Sequence, residues 1–201
     1  ETCALPICFL WAVYLRDFVF KTYIQLRIKG TSFHELYQKY PKLIIIANHA
    51  SHIDATSIAA AIPKRYWNDL YIAAAKDYFF SNPFMTFFSQ HCIGAIPVDR
   101  GDRRGEAISL ILRLLKELDR IWLIIFPEGT RSPDGKVHEF KRGVSIFSER
   151  SGTPILFLYI DGNSRLWPKG ARWARPGKLV IHVGPVHPPG PIDQVYTEYK
   201  K

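Results

Sequence analysis

The sequence contains little cysteine. Its 201 residues include three cysteines, Cys3, Cys8 and Cys92, which lie in apolar surroundings and form neither a CxxC pattern nor a paired framework. A small secreted domain held together by disulfides carries such a framework. We therefore interpret the three cysteines as buried, reduced thiols that behave as small hydrophobic side chains.

The opening apolar run, residues 3–15, is shorter than the roughly 20 residues that a membrane-spanning helix needs. Beyond it, apolar residues recur at helical spacing and polar residues take the other side, which predicts an amphipathic helix. The apolar positions are Leu15, Phe18, Val19, Tyr23 and Leu26. We expect residues 1–30 to form a helical segment in the membrane interface and residues 31–201 to form the main domain. The alternative is a helix packed on the protein's own core.

Acidic residues are in deficit. Asp and Glu number 18 against 27 Lys and Arg, and the formal net charge is +9. Such an excess favours an anionic counterpart: a phosphate-bearing small molecule, an acidic membrane surface or nucleic acid. Nucleic acid is disfavoured because the Phe and Tyr residues lie mostly in apolar runs and no RNP-like or helix-turn-helix signature is present.

Short apolar runs alternate with helical patterns from residue 43 onward. The runs cover residues 43–47, 71–75, 94–98, 121–126, 154–160 and 178–184, and the helical patterns cover residues 54–62, 83–91 and 105–118. This alternation is typical of an α/β domain whose sheet is covered by helices. We predict a single α/β domain with a mixed, largely parallel sheet flanked by helices. Residues 161–177, rich in Pro, Gly, Arg and Trp, are predicted to form a surface loop.

His49 and Asp54 are the first candidates for chemistry. The segment LIIIANHASHIDA places His49 just after a predicted strand and Asp54 at the start of a predicted helix. On one continuous helix the two residues would stand about 140° apart, so they can meet only across a turn. There the Asp carboxylate could orient the imidazole as a general base. The alternatives are that Asp54 caps its helix and His49 is a satisfied loop histidine, or that His52 competes for Asp54.

Two further turns supply cationic residues. FPEGTRS, residues 126–132, follows an apolar run and contains Arg131, whose guanidinium suits phosphate, and Gly129, which permits close backbone approach. GAIPVDR, residues 94–100, ends at Arg100, a candidate for a second phosphate contact. For FPEGTRS, the alternative is an ordinary βα turn followed by a β-turn, with Arg131 solvated. Neither a G-x-S-x-G nor an HExxH pattern is present, so an α/β serine hydrolase and an HExxH metal site are disfavoured.

These blocks, in this order, resemble the 1-acylglycerol-3-phosphate acyltransferase family, also called lysophosphatidic acid or glycerolipid acyltransferases. Residues 48–54 look like the family's His-x4-Asp block, GAIPVDR its second block and FPEGTRS its third, and the segment beginning at Pro154 loosely resembles its fourth. The resemblance runs from about residue 43 to about residue 184 and implies a fold of the glycerol-3-phosphate acyltransferase type.

The resemblance also implies roles. His49 would deprotonate an acceptor hydroxyl and Asp54 would orient His49, while acceptor binding falls to Arg100, Glu128, Gly129, Thr130 and Arg131. The hydroxyl would attack an acyl thioester on coenzyme A or acyl carrier protein, with no metal or further cofactor. Backbone amides near Asp54 or Gly129 are candidates for stabilising the oxyanion.

The function implied by the resemblance is acyl transfer to lysophosphatidate or a related lysophospholipid, in phospholipid biosynthesis or remodelling. The implied location is the cytoplasmic face of a membrane, bound peripherally or monotopically to anionic phospholipid. The alternative is a catalytically silent, membrane-docked lipid-binding module, which the presence of both His49 and Asp54 disfavours.

Overall fold

The computed structural model describes residues 14–75, 94–98 and 105–200. The helices are α1 (Tyr14–Tyr23, wound as a π-helix), α2 (Phe33–Lys39), α3 (Asp54–Ala61), α4 (Glu106–Glu117), α5 (Gly143–Ser151), α6 (Asn163–Leu166) and α7 (Ile192–Lys200). A 3₁₀ helix covers Lys64–Asp69. The strands are β1 (Ile24–Gly30), β2 (Lys42–Ala47), β3 (Leu70–Ala75), β4 (Ala95–Val98), β5 (Ile121–Ile125), β6 (Ile155–Asp161) and β7 (Gly177–His187).

The seven strands form one sheet in the order β1-β7-β6-β2-β5-β3-β4. Strands β2 to β6 are mutually parallel, whereas β7 runs antiparallel to β6 and β1 runs parallel to β7. The last residues of β2 to β6 and the first residues of β1 and β7 therefore lie at the same end of the sheet, which we call the carboxyl end. The predicted mixed, largely parallel sheet with flanking helices is confirmed.

The central strands are apolar throughout because both faces of the sheet are covered. Alternate residues of β2 face opposite sides, so that Leu43 and Ile45 pack with the side of α3, and Ile44 and Ile46 pack with the side of α4 and α5. All four side chains are fully buried. Such two-sided burial is typical of parallel strands and explains why their sequences read as continuous apolar runs.

The amphipathic helix predicted through Leu26 ends earlier. Tyr23 is its last residue, and Ile24–Gly30 is a strand, so the helical prediction is wrong for residues 24–30. The reason is visible in IQLRIKG, where apolar and polar residues alternate with the period of two that a strand requires. In α1 itself Phe20 packs into the core, whereas Phe18 and Tyr23 remain exposed.

The other predicted strands and helices that fall within the described residues are present, with ends shifted by up to about three residues. The helix predicted over residues 83–91 and the three cysteines lie outside the described residues. No helix in the described ranges is long and apolar enough to cross a membrane.

Candidate active site

The end of β2 is fixed by an asparagine that behaves like a further strand residue. The Asn48 side chain accepts from the amide of Ile160 at 2.7 Å and donates to the carbonyl of Ile160 at 3.0 Å. These two bonds join Asn48 to the end of β6. The chain therefore leaves the carboxyl end of the sheet in a defined direction, and His49 is the next residue.

The side chain of Asp54 accepts hydrogen bonds from the turn that follows β2. Its side chain is fully buried, and Oδ2 accepts from Nδ1 of His49 and from the amides of Ala50 and Ser51, each at 2.8 Å. Oδ1 accepts from Nδ2 of Asn163 at 2.9 Å. Because the carboxylate binds the turn that precedes α3, the alternative in which Asp54 merely caps its own helix does not hold. The carboxylate is thus a buried acceptor whose two oxygens are both satisfied by hydrogen bonds.

The imidazole of His49 is oriented by this carboxylate. A carboxylate only accepts hydrogen bonds, so in the neutral ring Nδ1 carries the proton and Nε2 is the basic nitrogen. One face of the ring stacks on Phe126, with centroids 4.1 Å apart. The side chain remains 21% exposed. The predicted meeting of His49 and Asp54 across a turn is thus present, with geometry that allows proton transfer at Nε2.

Glu128 ties the turn at residues 126–132 to His49. It is buried, with Oε1 accepting from the amide of His49 at 2.9 Å and Oε2 from the amide of His138 at 3.2 Å. The amide of Ser132 donates back to the His49 carbonyl at 2.7 Å. Burial raises the pKa of Glu128, while the two backbone donors act in the opposite direction. The resemblance placed Glu128 among the acceptor-binding residues, but here it acts through the backbone of His49.

Gly129 lies under the side chain of Lys141. Its φ of +69° belongs to the left-handed region, and a Cβ at this position would stand 2.8 Å from Nζ of Lys141. The backbone of Lys141 donates to the Pro127 carbonyl at 2.8 Å, which fixes the lysine beside the turn. Lys141, in the segment FKRGV (residues 140–144), is therefore a cation beside this turn that the sequence analysis did not single out. Thr130 is exposed on the same turn.

Arg131 is held by His52. Its Nη1 contacts the imidazole of His52, whose ring also packs against Trp167 at a centroid distance of 5.1 Å. Burial, followed by the charges of Arg131 and His49, lowers the pKa of His52. A neutral His52 offers an acceptor to the guanidinium. The possible competition between His52 and His49 for Asp54 is thus resolved in favour of His49.

The backbone amides that were expected to stabilise the oxyanion already donate hydrogen bonds within the protein. Those of Ala50 and Ser51 bind Asp54, and that of Gly129 donates to the Phe126 carbonyl at 3.0 Å. They stabilise the two turns in this state. Arg100 lies outside the described residues. Within the described ranges, no group of three or more His, Cys, Asp or Glu side chains is placed to hold a metal ion.

Asn163 was not singled out by the sequence analysis. It begins α6, more than 100 residues from Asp54 in sequence, and its side chain is buried against the Asp54 carboxylate. Its own Oδ1 accepts from the amide of Ser164 at 2.9 Å, which fixes the amide orientation. The sequence offered only a Gly-Asn pair after a strand, a signal that many turns share.

The fold and site define an α/β domain with a histidine–aspartate pair at the carboxyl end of its sheet. A family model described as acyltransferase matches residues 30–161, and the chain belongs to that family.

Several relatives share this family's sequence features. The chain is 30% identical over 145 residues to a 1-acyl-sn-glycerol-3-phosphate acyltransferase of Limnanthes alba, covering 70% of this chain and 48% of that protein. It is 26% identical over 167 residues to the mouse (Mus musculus) 1-acyl-sn-glycerol-3-phosphate acyltransferase alpha, covering 81% and 54%. A Pseudomonas aeruginosa protein of the same description is 40% identical over 65 residues, covering 32% and 24%. The chain thus spans about half or less of these relatives.

A solved structure shares the fold. The crystal structure of the 1-acyl-sn-glycerophosphate acyltransferase PlsC from Thermotoga maritima superposes with a TM-score of 0.76 at 21% sequence identity, covering 96% of this chain and 75% of that one. This likeness supports the architecture described above.

Proposed function

We propose that this domain transfers a fatty acyl group from a thioester of coenzyme A or acyl carrier protein to a hydroxyl of lysophosphatidate or a closely related lysophospholipid. The observation that carries the proposal is the His49–Asp54 pair, in which a fully buried carboxylate with four hydrogen bonds orients a partly exposed imidazole. The names of the relatives, which are 1-acyl-sn-glycerol-3-phosphate acyltransferases, support the acceptor class.

In the proposed reaction, Nε2 of His49 takes the proton from the acceptor hydroxyl as its oxygen attacks the thioester carbonyl carbon. The carbonyl oxygen becomes an oxyanion. When this intermediate collapses, the carbonyl re-forms, the carbon–sulfur bond breaks, and the leaving thiolate takes the proton from His49. The products are an ester and a free thiol, and His49 returns to its neutral form. Asp54 stabilises the imidazolium that exists between the two proton transfers.

The acceptor phosphate is proposed to bind beside the turn at residues 126–132. Arg131 offers a planar guanidinium already oriented by His52, and Lys141 offers a second positive charge over Gly129. Arg100 is proposed as a further contact, by resemblance. The fixed separation between these cations and His49 would hold the acceptor hydroxyl near Nε2, which converts a bimolecular encounter into an oriented one.

The domain is also proposed to associate peripherally with the cytoplasmic face of a membrane through its N-terminal segment. The support comes from α1, where the rings of Tyr14 and Phe18 stack at 5.6 Å and both side chains are exposed. Exposed aromatic residues of this kind suit the boundary between headgroups and acyl chains, and the same helix carries Lys21, which is paired with Asp17 at 3.3 Å.

The experiment that tests the proposed reaction is thiol release from a panel of acyl-CoA substrates, with and without lysophosphatidate. Wild type should release thiol only when the acceptor is present. His49→Ala should lower that rate by about 10²- to 10⁴-fold, because the general base is lost. His182→Ala, which removes an imidazole on β7, is the matched control and should retain the wild-type rate. Acceptor-dependent release that His49→Ala leaves unchanged would contradict the proposal.

A further inference from the structure

The loop at residues 168–176 lies at the same end of the sheet as the candidate active site. It leads into β7, whose first residue, Gly177, pairs with Ile24, the first residue of β1. Since β7 runs antiparallel to β6 and β1 runs parallel to β7, β1 and β7 both begin at the carboxyl end, where His49 follows β2. The hydroxyl of Tyr23 donates to the Ala174 carbonyl at 2.9 Å, so α1 and this loop are in direct contact.

The loop is hydrogen-bonded to the two residues that precede it, and one of these is joined to the turn that carries His49. The amide of Arg175 donates to the Leu166 carbonyl at 2.8 Å, and the Trp167 indole donates to the Ala171 carbonyl at 2.9 Å. The carbonyl of Trp167 accepts from the Ser51 hydroxyl at 2.8 Å and from the His52 amide at 3.3 Å. Whatever the loop binds is therefore held close to the candidate active site.

The charge of this region is of one sign. Residues 162–192 contain no Asp or Glu. Exposed cations occur here at Arg165, Lys169, Arg172, Arg175 and Lys178. Arg165 stands 3.7 Å from Asp161, just outside the acid-free stretch. The other four cations lie in and directly after the loop.

An exposed indole stands among these cations. Trp173 is 74% exposed, and the guanidinium of Arg172 lies 5.7 Å from its ring centroid. On the neighbouring α1, Phe18 is 58% exposed and Tyr14 is 49% exposed. An indole this exposed, with an apolar body and a polar N–H, suits a lipid headgroup layer.

We infer that the loop at residues 168–176 is a second membrane-docking element, in which Trp173 enters the headgroup layer of an anionic bilayer while Lys169, Arg172 and Arg175 bind lipid phosphates. The occupant is an anionic phospholipid surface because the exposed indole lies in a sequence stretch that carries exposed cations and no acids, a pattern that lipid interfaces favour. The inference rests on the membrane association proposed above and not on the acyl-transfer chemistry. Docking through this loop would turn the carboxyl end of the sheet, with His49, toward the membrane.

Sedimentation with vesicles tests the inference. The vesicles are phosphatidylcholine alone, or phosphatidylcholine and phosphatidylglycerol in a roughly two-to-one mixture. Neutralising three cations in Lys169→Gln/Arg172→Gln/Arg175→Gln should lower the partition onto the anionic vesicles by up to about 100-fold, since each cation near such a surface contributes about fivefold. Trp173→Ala should lower it by about tenfold, and Trp173→Phe should retain most of the binding.

A matched triple variant controls for net charge. Lys39→Gln/Lys116→Gln/Arg150→Gln removes the same charge from exposed residues near the starts of β2, β5 and β6, at the opposite end of the sheet. It should bind the anionic vesicles nearly as wild type does. Equal losses in both triple variants would reduce the effect to net charge and overturn the inference. Unchanged binding by Trp173→Ala and the loop triple variant would also overturn it.

A second readout separates this inference from the proposed reaction. Transfer to lysophosphatidate offered below its micelle concentration, without vesicles, should be the same in wild type and Trp173→Ala. Loss of that transfer would assign the loop to the reaction itself and contradict docking. A loop triple variant that binds vesicles normally but requires more acyl carrier protein donor would indicate an acidic protein as the partner instead.

Discussion

Asp54 accepts hydrogen bonds from two parts of the chain: the imidazole of His49 with the two amides that follow it, and the side chain of Asn163. Each bond limits where the carboxylate can point, and the carboxylate in turn sets which nitrogen of His49 is basic. Asn163 touches no reacting atom in the proposed reaction and is therefore a positioning residue.

Changing Asn163 should affect the proposed turnover through Asp54. Asn163→Ala leaves Oδ1 of buried Asp54 without this donor and should lower kcat by about tenfold, with little change in the KM of the acyl donor. Asn163→Asp would place a second carboxylate about 3 Å from Asp54, so that one of the pair keeps its proton and the acid limb of the pH–rate profile moves to higher pH. A fall in melting temperature with an unchanged pH–rate profile would show that Asn163 is only structural.

His52 should make stability depend on pH. Because its pKa is lowered from 6.5 in the folded protein, the unfolded chain binds a proton at this position before the folded chain does. The free energy of unfolding should therefore fall as pH drops below about 6.5 until the lowered pKa is passed. His52→Gln keeps an acceptor for Arg131 but cannot titrate. Its melting temperature should decline less than that of wild type between roughly pH 7.5 and pH 5.5, and an equal decline would contradict this account.

The sequence was enough to place His49, Asp54 and Arg131 at the carboxyl end of the sheet, because each lies in or just after a turn that follows a predicted strand. The roles of Asn163, Lys141 and Glu128 could not be found from the sequence, because each depends on a contact between segments that only the folded sheet brings together. Glu128 and His49 are 79 residues apart, and Asn163 and Asp54 are 109 apart. The spacing of residues within one segment of the sequence does not indicate such long-range contacts.

Among the elements, α7 links the C-terminal part of the described chain to the site. The hydroxyl of Tyr199 accepts from the Asn48 amide at 2.8 Å and donates to the Leu158 carbonyl at 2.7 Å. Burial raises the pKa of Tyr199, so the hydroxyl stays protonated and keeps both bonds over the physiological range. The helix therefore fixes the end of β2 next to His49.

Removing that hydroxyl should loosen the link. Tyr199→Phe leaves a buried amide and a buried carbonyl with one partner fewer, which costs about 1–3 kcal/mol of unfolding free energy by denaturant titration. The proposed turnover should fall with it, because the displaced backbone is that of the residue before His49. Tyr196→Phe on the same helix leaves this link intact and serves as the control. Equal stability of the two variants would contradict the role given to Tyr199.

Strands and helices whose apolar residues follow one clear spacing could be predicted from the sequence, and those without such a spacing could not. Strands β2 to β6 read as short apolar runs because the sheet buries both of their faces. The edge strand β1 was missed because it directly follows an amphipathic helix. When the helical spacing of apolar residues is extended through Leu26, it hides the alternation of apolar and polar residues that marks the strand. Helices α2, α5 and α7 were missed because tertiary packing, more than local periodicity, stabilises short helices.

At the scale of the molecule, the carboxyl end of the sheet differs chemically from the opposite end in the described residues. The carboxyl end of the sheet carries His49, the FPEGTRS turn, α1 and the basic loop at residues 168–176. Parallel strands expose their carboxyl ends to ligands, and the reversed β1 and β7 bring the aromatic and cationic segments to the same end. The proposed substrates are amphiphilic anions, and this end combines positive charge with apolar surface.

The proposed reaction requires His49 and Asp54 to act as one catalytic unit, and a double-mutant cycle on phosphatidate formation measures whether they do. Product from acyl-CoA and lysophosphatidate is measured by mass spectrometry for wild type, His49→Ala, Asp54→Asn and the double variant, with folding checked by circular dichroism. Residues that act as a unit have non-additive effects, so the double variant should be no slower than His49→Ala.

The chain supplies a matched pair for comparison. Nε2 of His138 lies 2.9 Å from Oδ1 of Asp134, but both of these side chains are about half exposed. The same cycle on that pair should leave the rate unchanged. A loss of about 10²- to 10⁴-fold is expected, shared by His49 and Asp54 and absent from His138 and Asp134. Independent, multiplying losses at His49 and Asp54, or equal losses in the two pairs, would contradict the proposed reaction.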